Sequence, residues 1–288
     1  MDKSGVDAEK LGLEPYNPST ISANFLANFM REREYLENTI KNMAFIPRYY
    51  AEHTGYLNIK SDNTIIERVI IPMTCFCDIK LHQISHHIEG NSSYEGYGRF
   101  AIILKKSWGI KEGIQPVQYA TPKSLLQQQF TKSFNLYSQA LDSEQTTEAW
   151  DDIADILLEQ LRFMKPLYGE MPINGQIIKN KNFTDEKEWR FVPKIPDNIA
   201  AEILFDPIDG LETSEKGIRT HNEAIALIKK ARLPFQVTDI KYILVETEED
   251  AQELSTFIEK LRGNRLNRQD KITLIRKIIV YEDMKGDL

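Results

Sequence analysis

Cysteine is scarce, with Cys75 and Cys77 the only two in 288 residues. Two thiols one residue apart in an apolar stretch cannot build a disulfide framework or a four-cysteine zinc site, and they suit a reducing compartment. Long apolar runs are missing too. No segment approaches the roughly 18 residues that a membrane helix needs, and the opening MDKSGVDAEKLGLEPYNPS has no apolar core of signal-peptide length. The expectation is a cytoplasmic protein with no membrane contact. Positive charge is in short supply: 36 Lys and Arg against 43 Asp and Glu leave a net charge of -7. Such a field does not favour a sequence-independent grip on phosphate, so nucleic acid enters only as a target. The Gly-x-Ser-x-Gly elbow, the Walker loop and the Gly-x-Gly-x-x-Gly fingerprint are all absent, which removes the usual support for serine hydrolase, NTPase and Rossmann activities.

What is present reads as an ordinary globular chain, 41% hydrophobic and 27% charged. Residues 1–19 are polar, hold two prolines and predict a loose arm; residues 20–288 predict a single domain. Spacing of Phe25, Leu26, Phe29, Leu36, Ile40 and Met43 predicts helix from Asn24 to Phe45, with the Arg31 to Glu34 run interrupting it. Ile65 to Phe76 is rich in β-branched residues and predicts one or two strands broken at Pro72. Asp78 is expected to cap a short helix carrying Leu81, Ile84 and Ile88, and Arg99 to Leu104 reads as a strand. Thr121-Pro122 resembles a helix start, and Glu148 to Met164 carries an apolar stripe. Strands follow at Glu188 to Val192, Ala201 to Phe205 and Tyr242 to Val245, with a helix at Asn222 to Arg232. A capping box at Thr247 and Asp250 opens a further helix, and Leu274 to Tyr281 supplies a closing strand. Strands and helices interleave irregularly, so the expected fold class is α+β: a mixed, largely antiparallel sheet flanked by helices.

Few residues carry obvious chemistry. His82 and His86 share a helical face, but no third ligand is spaced to join them, so no metal site is expected. Cys75 and Cys77 read as packed thiols more readily than as nucleophiles. Arg262 to Arg276 is basic and reads as a solvated face on an acidic body. The most informative stretch is Phe183 to Pro193, FTDEKEWRFVP. On a strand, Trp189 and Phe191 share one face while Glu188 and Arg190 share the other. That pair either locks the strand to a neighbour or lines a pocket for a polar ligand.

Several strings occur in order: FIPRY at Phe45, PMTCFCDI at Pro72, Tyr97-Gly98, KKSWGIKEGIQPV at Lys105 and EKEWRFV at Glu186. Together they resemble the AbiGi-type abortive phage resistance family, from about residue 20 to the C-terminus. The resemblance implies phage defence by abortive infection, with the chain as the regulatory or antitoxin component of a toxin-antitoxin-like system and a protein from the same locus as its partner. That role needs no cofactor and expects Glu188→Gln to leave folding intact.

A second likeness rests on an early helix entry, a central aromatic strand and a late glutamate-bearing strand, which is similar to ADP-ribosyltransferase toxins. It implies NAD as cofactor, Glu188 as the catalytic carboxylate, and a ligand-binding set of Arg48, Tyr49, Asp78, Tyr97 and Arg190. Such sequences carry a His-Phe-Thr-like string near the first helix where this chain has Asn28-Phe29-Met30. Arg48 would then replace the missing cation, and Tyr49 or Tyr97 would stack on the ligand. The architectural alternatives are a helix-end cap for Arg48, sheet packing for Tyr49 and a turn at Tyr97-Gly98.

Overall fold

The computed structural model describes residues 17–90, 96–143, 147–173, 176–195, 200–263 and 265–287. Most of the expected N-terminal arm and the Asn91 to Glu95 part of the glycine-containing run lie outside these residues.

Nine strands form one sheet: β1 (Phe25–Met30), β2 (Arg48–His53), β3 (Arg68–Cys77), β4 (Phe100–Lys105), β5 (Gln115–Pro116), β6 (Glu188–Phe191), β7 (Leu204–Asp206), β8 (Ile240–Val245) and β9 (Ile278–Val280). The spatial order is β9-β8-β4-β1-β3-β6-β5, and β2 and β7 add to the other half of the long β3. Every pairing is antiparallel except the parallel β8–β9 edge. The described helices are α1 (Arg33–Asn42), α2 (Ile84–Glu89), α3 (Lys106–Lys111), α4 (Leu125–Asp142), α5 (Glu148–Phe163), α6 (Glu215–Leu227), α7 (Glu248–Lys260), α8 (Arg268–Ile275) and α9 (Tyr281–Met284). This is the expected mixed α+β arrangement.

The strand β1 replaces the first half of the expected Asn24 to Phe45 helix. It lies between β4 and β3, and Phe25, Leu26, Ala27 and Met30 are all buried. A strand covered on both faces loses the apolar and polar alternation that would distinguish it from a helix. The strand β3 runs straight through Pro72, which lies opposite Tyr49 of β2 but has no partner on its other edge, since β7 ends at Ile70 and β6 begins at Thr74. Proline's missing N–H is tolerated at such a gap in the ladder.

Helix starts follow local chemistry. Thr247 and Asp250 form the expected capping box of α7, worth about 1 kcal/mol. The cap of α4 is Ser124, whose hydroxyl accepts from the Gln127 N–H, three residues beyond the expected Thr121-Pro122 start. The helix α6 begins at Glu215 behind the Ser214 cap, well before the expected Asn222. The helix α8 takes Leu274 and Ile275 from the expected closing strand, a turn follows at Arg276 and Lys277, and the strand β9 is confined to Ile278–Val280.

Side-chain alternation along β3 divides the core. Val69, Ile71 and Met73 pack beneath Phe130 and Phe134 of α4 and Leu157 and Leu161 of α5. Ile70 points to the opposite layer with Ile225 of α6, and Phe76 joins the cluster beneath Leu36 and Ile40 of α1 and Leu254 and Ile258 of α7. The remaining layer sets Ile84 and Ile88 of α2 against Ala27, Ile103 and Leu244.

Candidate functional site

The strand β6 carries Glu188 and Arg190 on one face and Trp189 and Phe191 on the other, as alternation requires. The charged face is the more deeply buried: Glu188 is 5% exposed and Arg190 is 0%. The Arg190 guanidinium donates from Nε to Glu188 Oε1 at 2.6 Å and from Nη2 to Glu188 Oε2 at 3.2 Å. Its Nη2 also pairs with Glu52 of β2 at 3.0 Å, and its Nη1 donates to the Arg162 carbonyl at 2.9 Å.

Lys165 completes the cluster. It lies just beyond α5 in Met164–Pro166, a segment that pairs in parallel with Gln118–Ala120. Its ammonium donates to Glu188 Oε2 at 2.7 Å and to Glu186 Oε2 at 3.0 Å, and it lies 4.7 Å from the centre of the Phe183 ring. Tyr97 donates to the other oxygen of Glu186, and its ring stacks on His87 at 4.3 Å. His87 Nε2 in turn lies 3.0 Å from the Cys77 sulfur. A continuous buried polar chain thus runs from Glu52 through Arg190, Glu188, Lys165 and Glu186 to Tyr97, His87 and Cys77.

Burial by itself would raise the Glu188 carboxyl; the charges of Arg190 and Lys165 outweigh it and hold the group well below the usual carboxylate range. Burial would likewise lower the Lys165 ammonium, but the carboxylates of Glu188, Glu52 and Glu186 hold it well above the lysine range. Glu188 is therefore an ionised carboxylate with both oxygens occupied by cations. Nothing on it is free to grip a ribose hydroxyl or a developing cation. The structure places the Glu188 carboxylate in the interior against Arg190 and Lys165, 5% exposed.

The proposed ligand set does not converge. Arg48 is exposed on β2, opposite Met73. Tyr49 is buried, donates to the Ala201 carbonyl and packs against His221; burial first and Glu202 second push its phenol up to about 12. Asp78 caps no helix. It accepts from Lys106 at 2.6 Å, and that ammonium also lies 5.4 Å from the Trp189 ring centre, which puts the pair on the face of β6 away from Glu188. Tyr97 alone joins Glu188 and Arg190, through Glu186 and Lys165. Its neighbour Gly98, at φ +131°, brings its Cα so close to the Met30 carbonyl that an added Cβ would lie 2.1 Å from that oxygen, an approach only glycine allows. Asn28 lies in mid-strand on β1, where its amide donates to the Cys75 carbonyl at 2.8 Å rather than standing at a helix entry.

The residues missed from sequence were Glu52, Lys165, Glu186 and His87. Glu186 had a signal, since it shares parity with Glu188 and Arg190 in EKEWR. Lys165, between Met164 and Pro166, had a weaker one: a lysine inside an apolar segment requires a buried partner. Glu52 and His87 had none.

The thiol and imidazole are both neutral. Burial first, then the Glu186 carboxylate, raise Cys77 well above the thiol range, while burial and then Lys181 lower His87 to about 3. A neutral thiol against a neutral imidazole is a packed hydrogen bond, not an activated nucleophile. Among the described residues no group of three or more His, Cys, Asp and Glu is placed to hold a metal ion.

A cavity of about 490 Å³ opens beside Asn42, Arg232, Phe235 and Arg265, at the basic C-terminal segment. Two of its cations make backbone contacts: Arg265 donates to the Asn42 carbonyl at the end of α1, and Arg232 to the Ala226 carbonyl in α6. Lys271 does the same for the Glu259 and Leu261 carbonyls at the end of α7. These bases answer the negative ends of three helices.

Comparison with known proteins now adds what the geometry cannot. Residues 43–246 match the family described as "Putative abortive phage resistance protein AbiGi, antitoxin". A protein of Lactococcus lactis subsp. cremoris named abortive phage resistance protein AbiGi is 38% identical over 251 residues, covering 85% of this chain and 100% of that protein. No solved structure gives a significant match, so no neighbour supports an ADP-ribosyltransferase fold.

Proposed function

The chain belongs to the AbiGi family of abortive phage resistance proteins, and from that membership we propose that it is the antitoxin or regulatory component of a two-protein defence system. It acts in the cytoplasm by binding a partner protein made from the same locus. The observation that carries this reading is the family description, which names an antitoxin and matches 43–246, a span that includes every charged residue of the buried network. The network itself supports it, because a carboxylate with both oxygens held by cations serves a rigid scaffold better than a reaction. Protein binding asks for no NAD, and no observation favours the transferase alternative.

Expression in bacteria tests the reading. The chain made alone should leave growth unchanged, and made together with the product of the neighbouring gene it should relieve the growth arrest that product causes. Growth arrest by the chain alone, with a harmless neighbour, would reverse the assignment.

A further inference from the structure

The antitoxin reading leaves open which surface meets the partner, and the helices α4 and α5 are unusually rich in exposed aliphatic side chains. Single exposed aliphatic residues are normal on any protein surface. Here six of the seventeen large hydrophobic residues exposed among the described residues lie on these two helices: Leu125, Leu126, Leu136, Leu141, Ile153 and Ile156. The two helices are 18 and 16 residues long, so an even spread over the chain would give them about two.

The helix α5 shows the pattern most clearly. Ala154, Leu157 and Leu161 are buried against the core, as an amphipathic helix requires. Ile153 and Ile156 face outward instead, 38% and 58% exposed, and they adjoin the exposed Asp152, Asp155 and Glu159. At three- and four-residue spacing these five side chains form one helical surface, apolar on one side and acidic on the other.

Charge selects the occupant. Among the described side chains of α4 and α5 the cations are Lys132 and Arg162, against the carboxylates Asp151, Asp152, Asp155 and Glu159. Arg162 is spent on Glu159 and Glu202. Among the described residues no cation pairs with Asp151, Asp152 or Asp155. Asp151 with Asp155, and Asp155 with Glu159, are like charges four apart, an arrangement that weakens a helix in the free protein. A nucleic acid or an anionic lipid surface would be repelled here. A second copy of the chain docking the same face would set carboxylates against carboxylates.

We propose that the outward face of α5 is the docking surface for the partner, and that the partner presents a basic amphipathic helix to it. Its apolar residues cover Ile153 and Ile156, and its lysines and arginines neutralise Asp152 and Asp155. The one-turn spacing of the exposed isoleucines matches the ridge spacing of a helix better than that of a strand. The inference rests on the antitoxin reading for the existence of a partner.

The test uses the full chain and the product of the neighbouring gene, titrated by calorimetry at low and high salt, with rescue of growth scored in parallel. Wild-type binding should weaken as salt rises. The variants are Ile153→Ser with Ile156→Ser, and Asp152→Lys with Asp155→Lys; Leu211→Ser, 87% exposed and on neither helix, is the control. Each α5 variant should weaken binding by about tenfold or more, and the lysine variant should also lose its salt dependence, while the control binds as wild type. The exposed positions should leave the thermal midpoint unchanged; if the serine variant lowers it, the lysine variant decides. Wild-type binding with undiminished binding by the α5 variants would overturn the docking surface and leave the antitoxin role standing. Absence of both binding and rescue by the wild type would overturn both.

Discussion

The Lys165 ammonium lies 2.7 Å from a Glu188 oxygen, although the two residues are 23 positions apart and neither belongs to the other's ladder. One contact therefore joins the segment after α5 to the central sheet. Arg190 extends the same connection to Glu52 on β2.

Removing the charge of Glu188 should destabilise the protein, because Lys165 and Arg190 then remain charged in a desolvated interior. Glu188→Gln is expected to cost about 3–5 kcal/mol in urea unfolding, whereas the antitoxin reading from sequence alone expected an intact fold. The double variant Glu188→Gln, Lys165→Met should cost less than the sum of its singles, with a coupling of about 0.5–3 kcal/mol. Additive losses would show that the pair does not act as a unit.

A second buried pair makes a separate prediction. Asp78 and Lys106 meet at 2.6 Å with side chains 10% and 6% exposed, and the second Asp78 oxygen has no partner. Lys106→Met strands that carboxylate and should lower stability by about 3–5 kcal/mol. Adding Asp78→Leu should restore part of the loss, measured as a recovered denaturation midpoint.

Stability should fall on the acid side of neutrality. The His87 imidazole titrates at about 3 in the native protein against 6.5 ordinarily, from burial first and Lys181 second. Between those values the unfolded chain binds a proton that the native chain does not, so stability is present above 6.5 and is lost as pH falls, by at most about 1.4 kcal/mol per unit. Glu188 adds its loss only below the ordinary carboxylate value of 4.5, since its native value is depressed. His87→Gln should flatten the slope between 6.5 and 4.5 in pH-dependent unfolding; an unaltered slope would assign it to other groups.

Both thiols should be sluggish. Burial first, then Glu188, raise Cys75 well above 9.0, and burial first, then Glu186, do the same for Cys77. Modification by a thiol-specific disulfide reagent at pH 8 should run at least about a hundredfold slower in the native protein than in guanidinium. Rapid labelling of Cys77 in the native state would contradict its neutral pairing with His87.

The legible parts of this protein were those decided over a few residues. Composition and irregular strand–helix order specified the mixed α+β class, Thr247 and Asp250 specified a capping box, and period-two alternation placed Glu188 beside Arg190 and away from Trp189. Family kinship was legible as well, from short strings in a fixed order. Burial was not. The strand β1 is covered on both faces and so has no alternation to read, and β3 continues through Pro72 where only β2 pairs with it and its other edge is open. The Glu188 carboxylate could have opened on a cleft or closed on a cation; Lys165, brought in from the segment after α5, and Arg190, held in turn by Glu52 of β2, closed it. Alternation along a strand is fixed by backbone geometry and can be read locally, whereas the partners of a buried charge come from distant segments that only the folded chain brings within a few ångströms.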